Sequence, residues 1–255
     1  MLYGGGFAIA LAIGVFLLLE VGRRIGARRI AAEGKGATEG FVAIESAVFG
    51  LMGLILAFCF SGAANRFDGR RQLVVTEVNQ IGTAWLRIDL LPMENQPAMR
   101  DLFRQYLDSR IETYRKVPDV VAVNAERART AELQRAIWSL AVAGVQKSQT
   151  PAAPVLVLPA LNEMIDTTTT RAEATRVHPP VITYVMLGVL ALACSLFAGY
   201  DMAARPRLNL LHATAFALAL AVTVYVIVDL EYPRIGLIRM TDSDTAMVEL
   251  RQTMN

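Results

Sequence analysis

Four apolar stretches constrain the fold of this chain more than any other feature of its sequence. They cover residues 3–21, 44–64, 180–200 and 210–230, and none carries a charge in its central part. At about 1.5 Å per helical residue, roughly 20 residues cross a hydrocarbon layer of about 30 Å. The sequence therefore predicts an all-α protein that spans a lipid bilayer with four helices.

Composition predicts a division between membrane and water. The 255 residues are 54% apolar but 19% charged, which is too apolar for an ordinary soluble domain and too charged for a chain wholly in lipid. We expect membrane helices one and two in 1–64 and a helical extramembrane region, continuous with span two, in 65–178. Membrane helices three and four then occupy 179–230, and a C-terminal tail occupies 231–255.

The first apolar stretch is predicted to be a retained anchor. A signal peptide carries its basic residues before the apolar core, whereas here Arg23, Arg24, Arg28 and Arg29 follow it.

Loop charge gives an orientation by the positive-inside rule. The loop 22–43 holds four arginines and Lys35 against Glu33 and Glu39, and Arg205 and Arg207 follow span three. If both loops are cytoplasmic, the termini and the region 65–178 lie outside. Arginines on the other side, at 66, 70, 71, 171 and 176, nearly balance that count.

Helical periodicity continues beyond span two. No proline precedes Pro92, and apolar residues recur every three or four positions from Val74 to Leu91, which predicts one long helix leaving the membrane. The stretches 99–117 and 125–147 have amphipathic patterns. A loop at 150–154 is expected before a further helix, 161–176, that runs into span three.

The long helix carries both charge signs between Asn65 and Arg71. One interpretation is ordinary ion pairs at three or four spacing, each contributing only tenths of a kcal/mol. The other is a charged vestibule below a pore, in which Arg66, Arg70 and Arg71 attract anions.

Span two has two distinct faces. A bulky stripe follows one side, and small residues follow the adjoining side. The small residues are Gly50, Gly53, Ala57, Ser61 and Ala64. The stripe consists of Phe49, Met52, Leu56 and Phe60. Around an axis shared by several copies, the stripe would form apolar rings that gate ions by dewetting. Alternatively, the small residues pack against another helix while the bulky ones face lipid.

Other function classes find little support. The chain has no phosphate-binding loop and no nucleophile elbow, so we predict no catalytic residue, no cofactor and no enzyme activity. His178 and His212 are explained by their places at membrane boundaries, and no metal site is predicted. The net charge of +2 is not organised as a basic and aromatic stretch, which argues against nucleic acid as a partner.

Three stretches carry a resemblance to a known family. Residues 53–91 read GLILAFCFSGAANRFDGRRQLVVTEVNQIGTAWLRIDLL, residues 161–181 read LNEMIDTTTTRAEATRVHPPV, and residues 229–240 read DLEYPRIGLIRM. Together they resemble the bestrophin-like family of bacterial membrane proteins, a domain of unknown function distantly similar to the bestrophin anion channels.

The resemblance implies a multi-pass protein of the bacterial inner (plasma) membrane that forms a pentamer and conducts inorganic anions. Phe49, Met52, Leu56 and Phe60 would then lie at the neck of the pore, with Arg66, Arg70 and Arg71 just beyond it. It also implies cytosolic termini, opposite to the orientation from loop charge. Animal bestrophins hold calcium with an acidic cluster after the last membrane helix, and Asp242, Asp244 and Glu249 match that cluster only in small part, so no calcium site is predicted.

Two function hypotheses follow. The first is a homo-oligomeric, anion-preferring ion channel with span two lining the pore. The second is a membrane-anchored scaffold or sensor whose helical bundle binds a partner protein and forms no pore.

Overall fold

The computed structural model describes residues 2–33, 41–204 and 210–254, and these residues form helices and no strands. The α-helices are α1 (Leu2–Glu33), α2 (Phe41–Leu86), α3 (Gln96–Arg115), α4 (Val120–Lys147), α5 (Ala153–Ala174), α6 (Val181–Asp201), α7 (Leu210–Glu231) and α8 (Thr241–Thr253). Lys35, Glu39, Arg205 and Arg207, used in the orientation argument, lie outside the described residues. The side chain of Asp242 is likewise not described.

The all-α prediction with four spans is confirmed. Helices α1, α2, α6 and α7 each contain a window apolar and long enough to cross a bilayer. By contacts, the chain divides into two units: unit 1 comprises 1–66 and 178–237, and unit 2 comprises 67–177 and 238–255. The predicted domain boundaries at 64, 178 and 230 remain predictions.

In unit 1, α1 packs closely against α6 because glycines remove side chains from the contact. A Cβ built on Gly22 would overlap the carbonyl oxygen of Leu196, and one on Gly199 would overlap that of Leu19. Small residues of this kind let membrane helices approach backbone to backbone. The apolar core of the unit includes Val15, Leu19, Ala191, Cys194, Ala217 and Val224.

A loop was expected at 22–43, directly after the first span, and this prediction is wrong for residues 22–33. Helix α1 continues through the basic cluster to Glu33. Glu20 accepts hydrogen bonds from Arg23 at 2.8 Å and from Arg24 at 2.7 Å. These pairs at three and four spacing favour the helix, and the segment contains no proline to end it.

The long second helix is confirmed. Helix α2 extends over 46 residues, and a 3-10 turn at Arg87–Leu90 follows it before Pro92. In unit 2, the predicted apolar side of this helix is buried at Val74, Ile81 and Ile88.

Helices α3, α4 and α5 complete the core of unit 2, and α3 and α4 do so with the apolar faces that the sequence predicted. Phe103 and Tyr106 of α3 are fully buried, as is Ile137 of α4. Helix α5 begins at Ala153, so the expected loop at 150–154 is two residues shorter and the expected start at 161 is wrong. Pro154 is in the first helical turn, where a missing N–H costs nothing.

Helix α5 does not run into span three. It ends at Ala174, and residues 175–180 are not helical before α6 begins at Val181. The pair Pro179 and Pro180 explains the break, because a residue before proline is disfavoured in the helical conformation.

The C-terminal residues fold back onto unit 2 as α8, an element that sequence reasoning had left as a tail. Met247 and Met254 are buried in the core of unit 2. Arg251 Nε donates to Asp108 Oδ1 at 2.8 Å, and Arg104 Nε donates to the carbonyl oxygen of Met254 at 2.6 Å.

Candidate functional site

The bulky stripe of α2 is divided between the inside and the outside of the chain. Met52 is only 3% exposed and belongs to the apolar core of unit 1. Phe49 and Leu56 are partly buried against the same core, and the Phe49 ring lies 6.0 Å from that of Phe216 on α7. Phe60 is 46% exposed. In a single chain, therefore, Phe60 is the member of the stripe that faces outward.

The small-residue side of α2 is open. Gly50, Gly53, Ala57 and Ser61 are all exposed. A Cβ built on Gly50 or Gly53 would meet no atom within 4 Å. The chain therefore covers Phe49, Met52 and Leu56 of the bulky stripe and leaves Phe60 and the small side uncovered. Neither interpretation from sequence had combined the two faces in this way.

Arg66, at the end of the apolar part of α2, is held by a buried carboxylate. Its Nη2 lies 2.5 Å from Glu231 Oε1, and the Glu231 side chain is 0% exposed. His178 Nδ1 lies 3.4 Å from the other oxygen of Glu231, and the His178 ring stacks on Tyr232 with centroids 4.6 Å apart. The positive charge of Arg66 is thus offset within unit 1.

Arg70 and Arg71 have different environments in unit 2. Arg70 is 5% exposed, and it donates to the carbonyl oxygens of Ala174 at 3.1 Å and Val177 at 2.9 Å. It thereby binds the last carbonyl group of α5, which has no partner within that helix, and a carbonyl group of the non-helical segment after it. Arg71 is exposed on the surface, with Nη1 3.5 Å from Asp68 Oδ1. Of the three predicted vestibule arginines, Arg71 is the one most open to solvent.

A buried charge network lies inside unit 2 and was missed as a group by sequence reasoning. Glu77, 0% exposed, accepts from Arg110 Nε at 2.5 Å and from Arg171 Nη1 at 2.6 Å. Arg171 Nη2 lies 3.4 Å from Asp244 on α8. Tyr114 completes the network, since its hydroxyl accepts from Arg110 and its ring faces the Arg171 guanidinium at 3.8 Å.

A signal for this network was present in the sequence. Glu77 falls on the apolar stripe of α2, three residues after Val74 and four before Ile81. A charged residue on a face that is otherwise buried needs a partner of opposite charge there, because an unpaired buried charge is strongly unfavourable.

A second polar cluster joins α3 to α4. Ser109 donates to Glu126 Oε2 at 3.0 Å, and Lys116 Nζ donates to Glu126 Oε1 at 2.6 Å. The hydrogen bond from Lys116 is the largest cause that lowers the pKa of the Glu126 carboxyl group. This carboxylate therefore fixes the start of α4 against α3, and its chemistry is structural.

A family model described as a bestrophin-like domain matches residues 9–245. No curated protein and no solved structure matches the chain.

Proposed function

This chain belongs to the bestrophin-like family, and from that premise we propose that it forms an oligomeric, anion-preferring ion channel whose helix α2 lines the pore. The pentameric state that the resemblance implies is part of the proposal. The membrane in which it acts is the bacterial inner membrane.

The observation that carries the proposal is how little of α2 the chain itself covers. Of the most apolar window of α2, 6% is buried inside the chain, compared with 22% for α1, 22% for α6 and 28% for α7. A helix at the centre of an oligomer has to be left open by its own protomer. The small side chains on its open face also allow copies to approach one another closely.

Phe60 is the residue we assign to the constriction, because its side chain has the exposure that pore lining requires. Apolar rings of this kind control ion passage by excluding water. Phe49 and Leu56 border the open face from the side of the core. Met52 is buried in the core and would reach the axis only after a rotation of α2. For Met52, pore lining therefore stays a prediction, and it applies to a conformation in which α2 has rotated.

Arg71 is the arginine we assign to anion preference. Arg66 is paired with Glu231 and Arg70 with backbone carbonyl groups, which leaves Arg71 as the most accessible cation of the three. Asp68 offsets part of its charge, and we therefore expect a modest preference for anions.

Purified protein in planar bilayers tests the proposal. We expect ionic currents and a changed conductance for Phe60→Ala. In a salt gradient, the reversal potential should lie closer to the equilibrium potential of the anion than to that of the cation. Leu218→Ala is the matched control, since Leu218 is an apolar residue of α7 that is 55% exposed. The absence of current under any ionic condition would overturn the channel, and a monomer or dimer in detergent would favour the scaffold instead.

A further inference from the structure

The end of α1 beyond the first span carries an excess of positive charge. About 20 helical residues cross the hydrocarbon layer, whereas α1 has 32 residues and continues to Glu33. Between residues 20 and 33 the chain has four arginines and two glutamates, which leaves two positive charges in excess. This segment therefore lies where a bilayer presents its headgroups, and its charge is opposite to that of a phosphate group.

Arg24 and Arg28 lie on the outward side of α1, opposite its contact with α6. The contact side contains Gly22 and Gly26, where a Cβ would overlap atoms of α6 or of the turn that follows it. The outward side contains Leu17, which is 61% exposed. At 3.6 residues per turn, Arg24 and Arg28 each fall within about 20° of Leu17. The apolar side that a bilayer covers therefore continues directly into these two arginines.

The carboxylates of the segment leave Arg28 without a partner. Glu20 binds two arginines, since Arg23 donates to it at 2.8 Å and Arg24 at 2.7 Å. The other glutamate of the segment binds Arg29 at 3.2 Å. Among the described residues, Arg28 forms no hydrogen bond and no ion pair, and it is exposed. The outward side therefore has one carboxylate, shared by two arginines, beside an arginine that keeps its full charge.

Other carboxylates at this end of unit 1 lie on the contact side of α1. Asp201 is the last residue of α6 and follows Tyr200, whose carbonyl oxygen would be 2.8 Å from a Cβ on Gly26. Glu45 of α2 interacts electrostatically with Asp201. In the part of the chain that the structure describes, neither carboxylate forms an ion pair with an arginine of the segment.

We propose that the outward side of α1 at the bilayer surface, formed by Arg24 and Arg28, binds the headgroup of an anionic phospholipid. At 1.5 Å per residue, Arg24 is about 4.5 Å and Arg28 about 10 Å beyond the end of the predicted span at Val21. The headgroups add roughly 5–7 Å to each side of the hydrocarbon layer, and the long arginine side chain lets Arg28 reach back to them. The guanidinium groups donate to the phosphate oxygens, and the acyl chains lie along Leu17. This site does not depend on the proposed channel.

Quenching of a tryptophan by lipid tests the site. Val21→Trp places the probe at the end of the span on the outward side, where Val21 is 42% exposed. The full chain is reconstituted in phosphatidylcholine vesicles that contain a varied fraction of brominated phosphatidylglycerol or, in parallel, of brominated phosphatidylcholine. The signal of the protein without the probe, from Trp85 and Trp138 of unit 2, is subtracted. We expect phosphatidylglycerol to be preferred by about fivefold or more, since one arginine at a membrane surface contributes about that factor.

Arg28→Gln, combined with Val21→Trp, should lower the preference by about fivefold. Arg29→Gln is the matched control because it removes the same charge from the same segment. Arg29 pairs with Glu33 and lies about 100° around the helix from Arg28, so this variant should keep the full preference. Inorganic phosphate in the buffer should leave the preference unchanged.

Equal quenching by the two lipids, or equal losses in Arg28→Gln and Arg29→Gln, would overturn the site. Weak quenching by both lipids would contradict it as well, because another copy of the chain would then cover this side of α1. A preference that disappears in inorganic phosphate would assign the arginines to a soluble anion instead and overturn the lipid site. The channel proposal is tested by ionic currents and stands in each of these cases.

Discussion

Glu77 is a carboxylate that joins two buried guanidinium groups. In Glu77→Gln, Arg110 and Arg171 keep their charges inside unit 2 without this carboxylate, and Asp244 stays 3.4 Å from Arg171. Removing one partner of a buried ion pair costs about 3–5 kcal/mol, so we expect a much lower melting temperature by circular dichroism. Glu112→Gln is the control, because Glu112 pairs with Arg115 on the surface at 3.0 Å. Equal melting temperatures for the two variants would contradict this account of the network.

Tyr106 gives unit 2 a dependence on alkaline pH. Burial raises the pKa of the Tyr106 hydroxyl to about 12, whereas an unfolded chain has a tyrosine pKa of about 10. The folded state thus holds the proton more tightly, and the stability from this group is complete below pH 10 and is lost as pH rises to 12. Between pH 9 and 12, the melting temperature should fall less steeply with rising pH in Tyr106→Phe than in the wild-type protein. An identical slope in the variant would contradict the assignment.

The contacts of single residues could be predicted from the sequence only where the partner is a neighbour on the same helix. The charges at Arg66, Arg70 and Arg71 were visible, and so was the interpretation as ordinary pairs. The partners Glu231 and the carbonyl groups of Ala174 and Val177 lie more than 100 positions away for all three contacts. Spacing along one helix does not report such contacts, because they depend on how helices pack.

At the scale of helices, the contact between α1 and α6 depends on glycine. Gly22→Ala places a methyl group against the carbonyl oxygen of Leu196, and overpacking of this kind costs about 1–3 kcal/mol. We expect a lower melting temperature of the protein in detergent and a smaller folded fraction. Gly6→Ala is the control, since a Cβ there meets no atom within 4 Å. A variant Gly22→Ala as stable as the control would show that the two helices can separate without loss.

The helices themselves were largely predictable, and their ends were less so. Apolar length and periodicity gave the four spans and the amphipathic faces of α3 and α4, because those patterns are local. The continuation of α1 to Glu33 was missed because the basic residues after the first span were interpreted as part of a loop. The early start of α5 was missed because Pro154 was read as a break, although proline is well accommodated in a first turn.

For the whole molecule, we expect side chains on the open face of α2 to affect ion conductance but not the folding stability of the single chain. Gly53→Phe adds a large side chain where the chain has free space. If α2 surrounds the axis, unitary conductance should fall to roughly half or lower, while the melting temperature changes little. Val222→Phe on α7, at a residue 56% exposed, is the control. Equal conductance in both variants would place the axis elsewhere.

The return of α8 to unit 2 has a consequence for biosynthesis. Asp244, Met247 and Arg251 all contact unit 2, yet they are translated after both of the spans, α6 and α7, that follow α5. Unit 2 therefore cannot complete its core before these two spans have been synthesised. A premature stop codon before residue 241 should yield a polypeptide with every apolar span but an unfinished core, and such a product becomes a substrate for quality-control proteases.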